Sequence, residues 1–206
     1  MQQTTIKNII FDLGNTLVYF DFWYFFDGVS RLEKKLNPSH LQKFIIEKKL
    51  GDKLCVGKIN HKQAFRIIKK KFELKISYKD FIYLYADIFW ENTPMKNFLE
   101  KIIRERKFKV ILLSNTDSVH FTFVNKNFPY INLIRNKVLS YKAGMMKPSP
   151  RIFQHTIKKF RLIKSETLLI DDMAPNVRAA SSLGLKAIHY KSHKQFLKRF
   201  NSLTKI

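Results

Sequence analysis

The sequence predicts an α/β protein: a Rossmann-like parallel sheet with helices on both faces and an inserted four-helix cap. Three observations predict it. Short apolar runs end on polar or acidic residues at Asp12, at Ser114-Asn115-Thr116 and at Asp171-Asp172. Amphipathic stretches alternate with apolar runs through residues 91–206. Between the first run and this series, residues 21–90 repeat their apolar positions at three and four, the period of a helix. Strands of a parallel sheet are covered on both faces, so they read as unbroken apolar runs instead of an apolar–polar alternation.

The elements follow in order. The first strand covers about Lys7 to Phe11 and ends on Asp12-Leu13-Gly14-Asn15. In the helical block, Leu41, Phe44 and Ile45, then Ala64, Ile67 and Ile68, mark apolar faces. Asn37-Pro38 starts one helix, because proline loses nothing at a first helical position. Ser77, with Asp80 three residues on, starts another. The aromatic run Phe20, Phe22, Trp23, Phe25 and Phe26 is expected in the cap core, with Trp23 as an alternative lining of a substrate pocket. Thr93-Pro94 opens a helix to about Lys107, followed by a strand from Phe108 to Leu113 and a helix from about Asp117. A short strand at Val138 and Leu139 and a helix from Ser149 to Phe160 come next. The strand Thr167 to Ile170 leads to a helix opened by Pro175 and closed by Gly184. A strand around Lys186 to Tyr190 and a helix begun by Ser192 complete the series. The resulting division is a core of residues 1–20 and 91–206 and a cap of residues 21–90.

Composition narrows the classes of function. The chain has 206 residues, 39 Lys and Arg against 16 Asp and Glu, and a formal net charge of +23. That charge would suit an anionic macromolecule, but the lysines are spread over polar helix faces and no nucleic-acid-binding motif is present. Over-use of Lys, Ile, Phe and Asn explains the charge as composition, and no nucleic-acid partner is expected. The single cysteine, Cys55, excludes a disulfide within the chain and suits a reducing compartment. Residues 1–11 lack the pattern of a signal peptide, and no apolar stretch reaches the roughly 18 residues that span a bilayer. The expectation is a soluble cytoplasmic protein with no membrane partner, a monomer or a homodimer.

In an open parallel sheet the reactive groups lie beyond the carboxyl ends of the strands. Asp12, Ser114-Asn115 and Asp171-Asp172 would meet there. Three carboxylates on one rim are costly without a cation, and Mg2+ prefers oxygen ligands of this kind.

These residues carry a family resemblance. Phe-Asp12-Leu-Gly-Asn-Thr16, Leu-Leu-Ser114-Asn-Thr, Gly-Met-Met-Lys147-Pro and Leu-Leu-Ile-Asp171-Asp172-Met-Ala-Pro-Asn176 resemble the four motifs of the haloacid dehalogenase superfamily, in order and over nearly the whole chain. The Asp-Leu-Gly-Asn form of the first motif is similar to that of a branch which includes bacterial glucose-1-phosphate phosphatases and is related to the phosphatase domain of soluble epoxide hydrolases. The resemblance implies a phosphohydrolase acting on a small phosphate ester, possible sugar phosphates included. Asp12 would be the nucleophile, and Asp12, Asp171, Asp172 and the carbonyl of Gly14 would hold Mg2+. Ser114 and the Asn115 amide would hold a phosphoryl oxygen, Lys147 would supply positive charge, and Asn176 would orient the acidic pair.

One position departs from that pattern. Where most phosphatases of the superfamily carry a second aspartate as general acid, this chain has Gly14. His61 and His120 are the candidates to replace it, and Asp21 is expected to stabilise the loop after the first motif. Two other readings stay open: a dehalogenase using the same nucleophile on carbon without metal, and a binding or regulatory protein of the same fold with little turnover.

Overall fold

The computed structural model describes residues 5–34 and 36–204. The chain runs β1 (Asn8–Phe11), β2 (Val18–Phe20), α1 (Trp23–Leu32), α2 (Pro38–Glu47), α3 (Leu50–Cys55), α4 (His61–Phe72), α5 (Tyr78–Ala86) and β3 (Phe89–Glu91). It continues with α6 (Thr93–Glu105), β4 (Lys109–Ser114), α7 (Ser118–Asn127), β5 (Asn136–Leu139), α8 (Ser140–Ala143) and α9 (Pro150–Phe160). The last elements are β6 (Thr167–Asp171), α10 (Ala174–Ser182), β7 (Lys186–His189) and α11 (His193–Thr204).

Five strands form one parallel sheet in the order β5-β4-β1-β6-β7. β1 is the central strand, with Phe11 opposite Leu112 of β4 and Ile170 of β6. This register carries Asp12, Ser114 and Asp171 to the same rim, because each stands at the end of its strand. Side chains alternate across the sheet. Ile9, Phe11, Leu112 and Ile170 pack with Met95 and Leu99 of α6 and with Phe196 and Phe200 of α11. Ile10, Ile111, Leu113 and Leu169 point the other way, onto Ile152 and Phe153 of α9 and Ala180 of α10. Both faces are therefore dry, as unbroken apolar strands require.

Helices α1–α5 gather around a core of their own, with Phe25, Phe26, Leu41, Leu54, Phe65, Ile68 and Phe81 buried in it. The expected helix starts are present. Asn37 accepts from the Ser39 amide, and Ser77 accepts from the Asp80 amide. Asn60 and Gln63 close a reciprocal cap on α4.

The structure corrects the sequence reading in two places. Among the described residues, the inserted block holds five helices instead of four. The extra one, α3, follows Lys49, which adopts a left-handed conformation with φ 50° and breaks the chain without a glycine. The block is also flanked by strands: β2 and β3 pair antiparallel, Phe20 opposite Phe89, and tie its two ends into a ribbon. The aromatic run divides accordingly. Phe25 and Phe26 are buried, whereas Trp23 is 45% exposed on the outer surface.

Candidate active site

The site begins with the turn after β1. The Asp12 amide still donates to Ile170 O at 2.9 Å, and the chain then folds back so that the Leu17 and Val18 amides both reach Leu13 O. Asn15 takes the left-handed conformation this requires, with φ 49°; asparagine tolerates it better than most side chains do. The Asp12 carboxylate is thus held at the rim by a short turn closed by these backbone bonds.

Lys147 is 2% exposed and reaches this rim from the loop before α9. Its ammonium lies 2.7 Å from Asp12 Oδ1 and 2.6 Å from Asp171 Oδ2. A lysine is buried only when its charge is met, and here two carboxylates meet it. Asp171, wholly buried, also accepts from the Met173 amide and from Asn176 Nδ2, each at 2.9 Å. Asn176, the expected orienting residue, thus bonds Asp171 of the acidic pair. Asp172 is more open, and its carbonyl lies 2.7 Å from His189 Nε2.

Asp12, Asp171 and Asp172 present carboxylate oxygens that all lie within 4.8 Å of one another. Three carboxylates against one ammonium leave two negative charges uncompensated. Burial, followed by the charge of Lys147 in opposition and of Asp171 in support, pushes the Asp12 carboxyl up from 3.8 to about 7. Burial and the neighbouring Asp171 raise that of Asp172 as well. An all-oxygen donor set with a deficit of two positive charges fits a hard divalent cation.

Ser114 ends β4 and is buried next to this group. The Asn115 side chain does something the sequence did not announce. Its Oδ1 accepts from the Lys147 amide and its Nδ2 donates to the Lys147 carbonyl, both at 2.8 Å. Two bonds to the backbone of one residue, its amide and its carbonyl, lock the lysine loop to the end of β4. Residue spacing carries no signal for this, since the partners are 32 positions apart.

Gly14 lies two residues beyond Asp12 in an isolated bridge to Val18. A Cβ there would come within 2.5 Å of Cε1 of Phe20. The Phe20 ring packs against Phe22 and Phe89, so the room for a side chain at residue 14 is filled by an aromatic ring. Asp21 accepts from the Trp23 amide at 2.8 Å, a loop contact of the expected kind.

His61 and His120 do not stand in for the general acid. Both are buried, and both point to Asp117: His61 Nε2 lies 2.8 Å from its Oδ1, and His120 Nδ1 lies 2.7 Å from its Oδ2. The sequence places His120 about one turn after the Ser114 motif and His61 in the inserted block, but does not reveal the carboxylate that engages both.

Known proteins resemble this chain in sequence and fold. The chain matches haloacid dehalogenase-like hydrolases over residues 6–184. It belongs to that family. A D-ribitol-5-phosphate phosphatase from Bacteroides thetaiotaomicron is 27% identical over 204 residues, covering 88% of this chain and 90% of the relative. A crystal structure of a HAD family enzyme from the same organism superposes with a TM-score of 0.78 at 28% identity, covering 96% of this chain and 99% of that one. A wild-type complex of the HAD family enzyme, with magnesium and inorganic phosphate, gives a TM-score of 0.74 at 28% identity over 90% of this chain and 94% of that one. The Rossmann-like haloacid dehalogenase fold and the hydrolase family are thereby established for this chain.

Proposed function

We propose that the chain is a magnesium-dependent phosphohydrolase of small phosphomonoesters, with Asp12 as the nucleophile. The observation that carries this reading is the convergence of Asp12, Lys147, Asp171 and Asp172 on the rim beside Ser114. The relative that acts on D-ribitol 5-phosphate supports a sugar or polyol phosphate as the substrate class.

Each residue then has a task. Asp12 attacks phosphorus and is transiently phosphorylated; water hydrolyses the aspartyl phosphate and returns the carboxylate. Lys147, already in contact with Asp12, moves no proton: it holds positive charge beside the nucleophile and the incoming phosphoryl oxygens. Asp171 holds Lys147 in place and is itself fixed by Asn176. Ser114 and the Asn115 amide bind a phosphoryl oxygen, while the Asn115 side chain keeps the lysine loop in register. Asp12, Asp172, Asp171 and the Gly14 carbonyl are the groups that would hold Mg2+. When bound, the ion supplies the missing positive charge and keeps Asp12 ionised near neutral pH.

With Gly14 at the usual acid position and both histidines bonded elsewhere, the leaving group departs without a donor from these residues. Esters with acidic leaving groups are then favoured, since general acid catalysis is worth roughly 10²–10⁴-fold. The acidic cluster speaks against a dehalogenase, which has no need of a cation.

A panel of phosphate esters, assayed with magnesium and with chelator, tests the reading. Phosphate release is expected from wild type with magnesium, and a fall of at least ~10³-fold is expected for Asp12→Asn. Equal release from wild type and variant would remove Asp12 from the role. Release unaffected by chelator would remove the metal.

A further inference from the structure

Asp117 follows Ser114 by three residues and is the N-cap of α7. An N-cap carboxylate ordinarily sits at the surface and accepts from one or two amides at the helix start. Asp117 accepts from two, Val119 N at 2.9 Å and His120 N at 3.0 Å. Yet it is 1% exposed, and three side chains reach it as well. Oδ1 faces His61 Nε2 at 2.8 Å, while Oδ2 accepts from the Tyr85 hydroxyl at 2.8 Å and faces His120 Nδ1 at 2.7 Å. Five contacts saturate a carboxylate that offers about four lone-pair positions.

The origin of these partners matters more than their number. His61 opens α4 and Tyr85 lies in α5, both in the helical insertion. Asp117 and His120 belong to the sheet-bearing part of the chain, on the segment that begins with Ser114 and Asn115. His120 extends the join. Its Nε2 lies 2.8 Å from the Tyr85 carbonyl, and its ring stacks on that of Tyr85 at 4.1 Å between centroids. Both ring nitrogens of His120 thus face acceptors. Burial alone would raise the Asp117 carboxyl, but the charge and hydrogen bond of His120, then those of His61, hold it well below the usual range. The carboxylate stays ionised and keeps all its donors.

We propose that Asp117 is a positioning residue that seats the helical insertion on the phosphate-binding loop, with His61 and Tyr85 as the latch. This rests on the phosphohydrolase reading only in naming the loop's ligand. Loss of a latch donor frees α4 and α5 to move while the cradle of Ser114, Asn115 and Lys147 stays intact. The part of a substrate beyond its phosphate loses its enclosure; the phosphate itself does not. A residue that merely stabilised the fold would weaken both.

The test uses Tyr85→Phe and His61→Ala, with His61→Gln as the conservative rescue, because Asp117→Asn risks leaving donors buried and unmatched. The substrate probe is p-nitrophenyl phosphate, and inorganic phosphate serves as competitive inhibitor. Tyr85→Phe and His61→Ala are expected to raise KM roughly 10-fold, with kcat and the phosphate inhibition constant moving less than about 3-fold. His61→Gln is expected to recover most of the KM. In parallel, amide hydrogen exchange in α4 and α5 is expected to quicken about 10-fold in the two variants, with β1 and β4 unchanged. An inhibition constant that rises with KM would overturn the proposal, as would exchange that stays at the wild-type rate. If wild type hydrolyses no p-nitrophenyl phosphate, the phosphohydrolase reading takes the loss and the exchange result alone decides the latch.

Discussion

Two buried clusters, each built on aspartate, lie on either side of Ser114 and titrate in opposite directions. At the rim, burial and like charge push Asp12 up to about 7, against the pull of Lys147. At the join with the helical insertion, two histidines overcome burial and hold Asp117 well below 3.8. The residue type is the same and so is the burial. The difference is the balance of partners: at the rim three carboxylates gather and one ammonium contacts two of them, whereas five contacts serve one carboxylate at the join. A buried cluster short of positive charge is poised for a cation and for chemistry. One whose every lone pair is taken holds elements together.

The contrast can be broken most forcefully at Asp117. Asp117→Ala leaves His61, His120 and Tyr85 buried without their acceptor, and removal of one partner of a buried ion pair costs about 3–5 kcal/mol. Urea unfolding at neutral pH is the check, and a loss under ~1 kcal/mol would mean that the cluster is not the tie described here. At Lys147 the effect falls on rate. Lys147→Met keeps the bulk but removes the charge, and kcat/KM on the best panel ester is expected to fall roughly 10²–10³-fold, as for loss of one preorganised electrostatic contact.

The pH dependence of stability should separate the clusters by sign. A raised carboxyl contributes stability that is complete below its unfolded value and lost as pH rises through its folded one. Metal-free protein is therefore expected to lose the Asp12 contribution between about pH 4 and 7. The Asp12→Asn variant should flatten that slope. A depressed carboxyl does the reverse. The Asp117 contribution is present above about pH 4 and disappears as pH falls further, toward the folded value. Chemical denaturation across pH 2–8 reads both windows.

The smallest effect concerns residue 14. A methyl group there meets the Phe20 ring at 2.5 Å, so Gly14→Ala is expected to cost about 1–3 kcal/mol through overpacking. Paired with Phe20→Ala, it should cost less than the sum of the two single changes, because contacting sites are coupled by ~0.5–3 kcal/mol. Strict additivity in a double-mutant cycle would show that the ring does not fill the space.

The two clusters were unequally legible in the sequence. Asp12, Ser114 and Asp171 could be read because each directly follows an apolar strand, and a parallel sheet brings strand ends to one rim. The parallel sheet itself was legible for the same reason. Asp117 read only as a helix start, since the partners that reveal its role come from α4 and α5, 56 and 32 positions away. The Asn115 clamp on Lys147 was hidden in the same way. Strands β2 and β3 escaped because three residues are too few to show a period of two, and the aromatic run around them kept the apolar pattern continuous. The fifth helix escaped because Lys49 breaks the chain by its backbone angle alone. Local signals give elements and strand ends, whereas pairings across the insertion need the fold.

The central claim is that Asp12 carries the phosphoryl group during turnover, in a site that requires a divalent cation. Acid quenching of the protein during turnover of its best ester, followed by mass analysis of the proteolytic peptides, tests this most directly. The account expects a phosphoryl adduct on the peptide containing Asp12, absent with chelator and absent in Asp12→Asn. An adduct on another peptide, or full turnover with label never reaching Asp12, would contradict it.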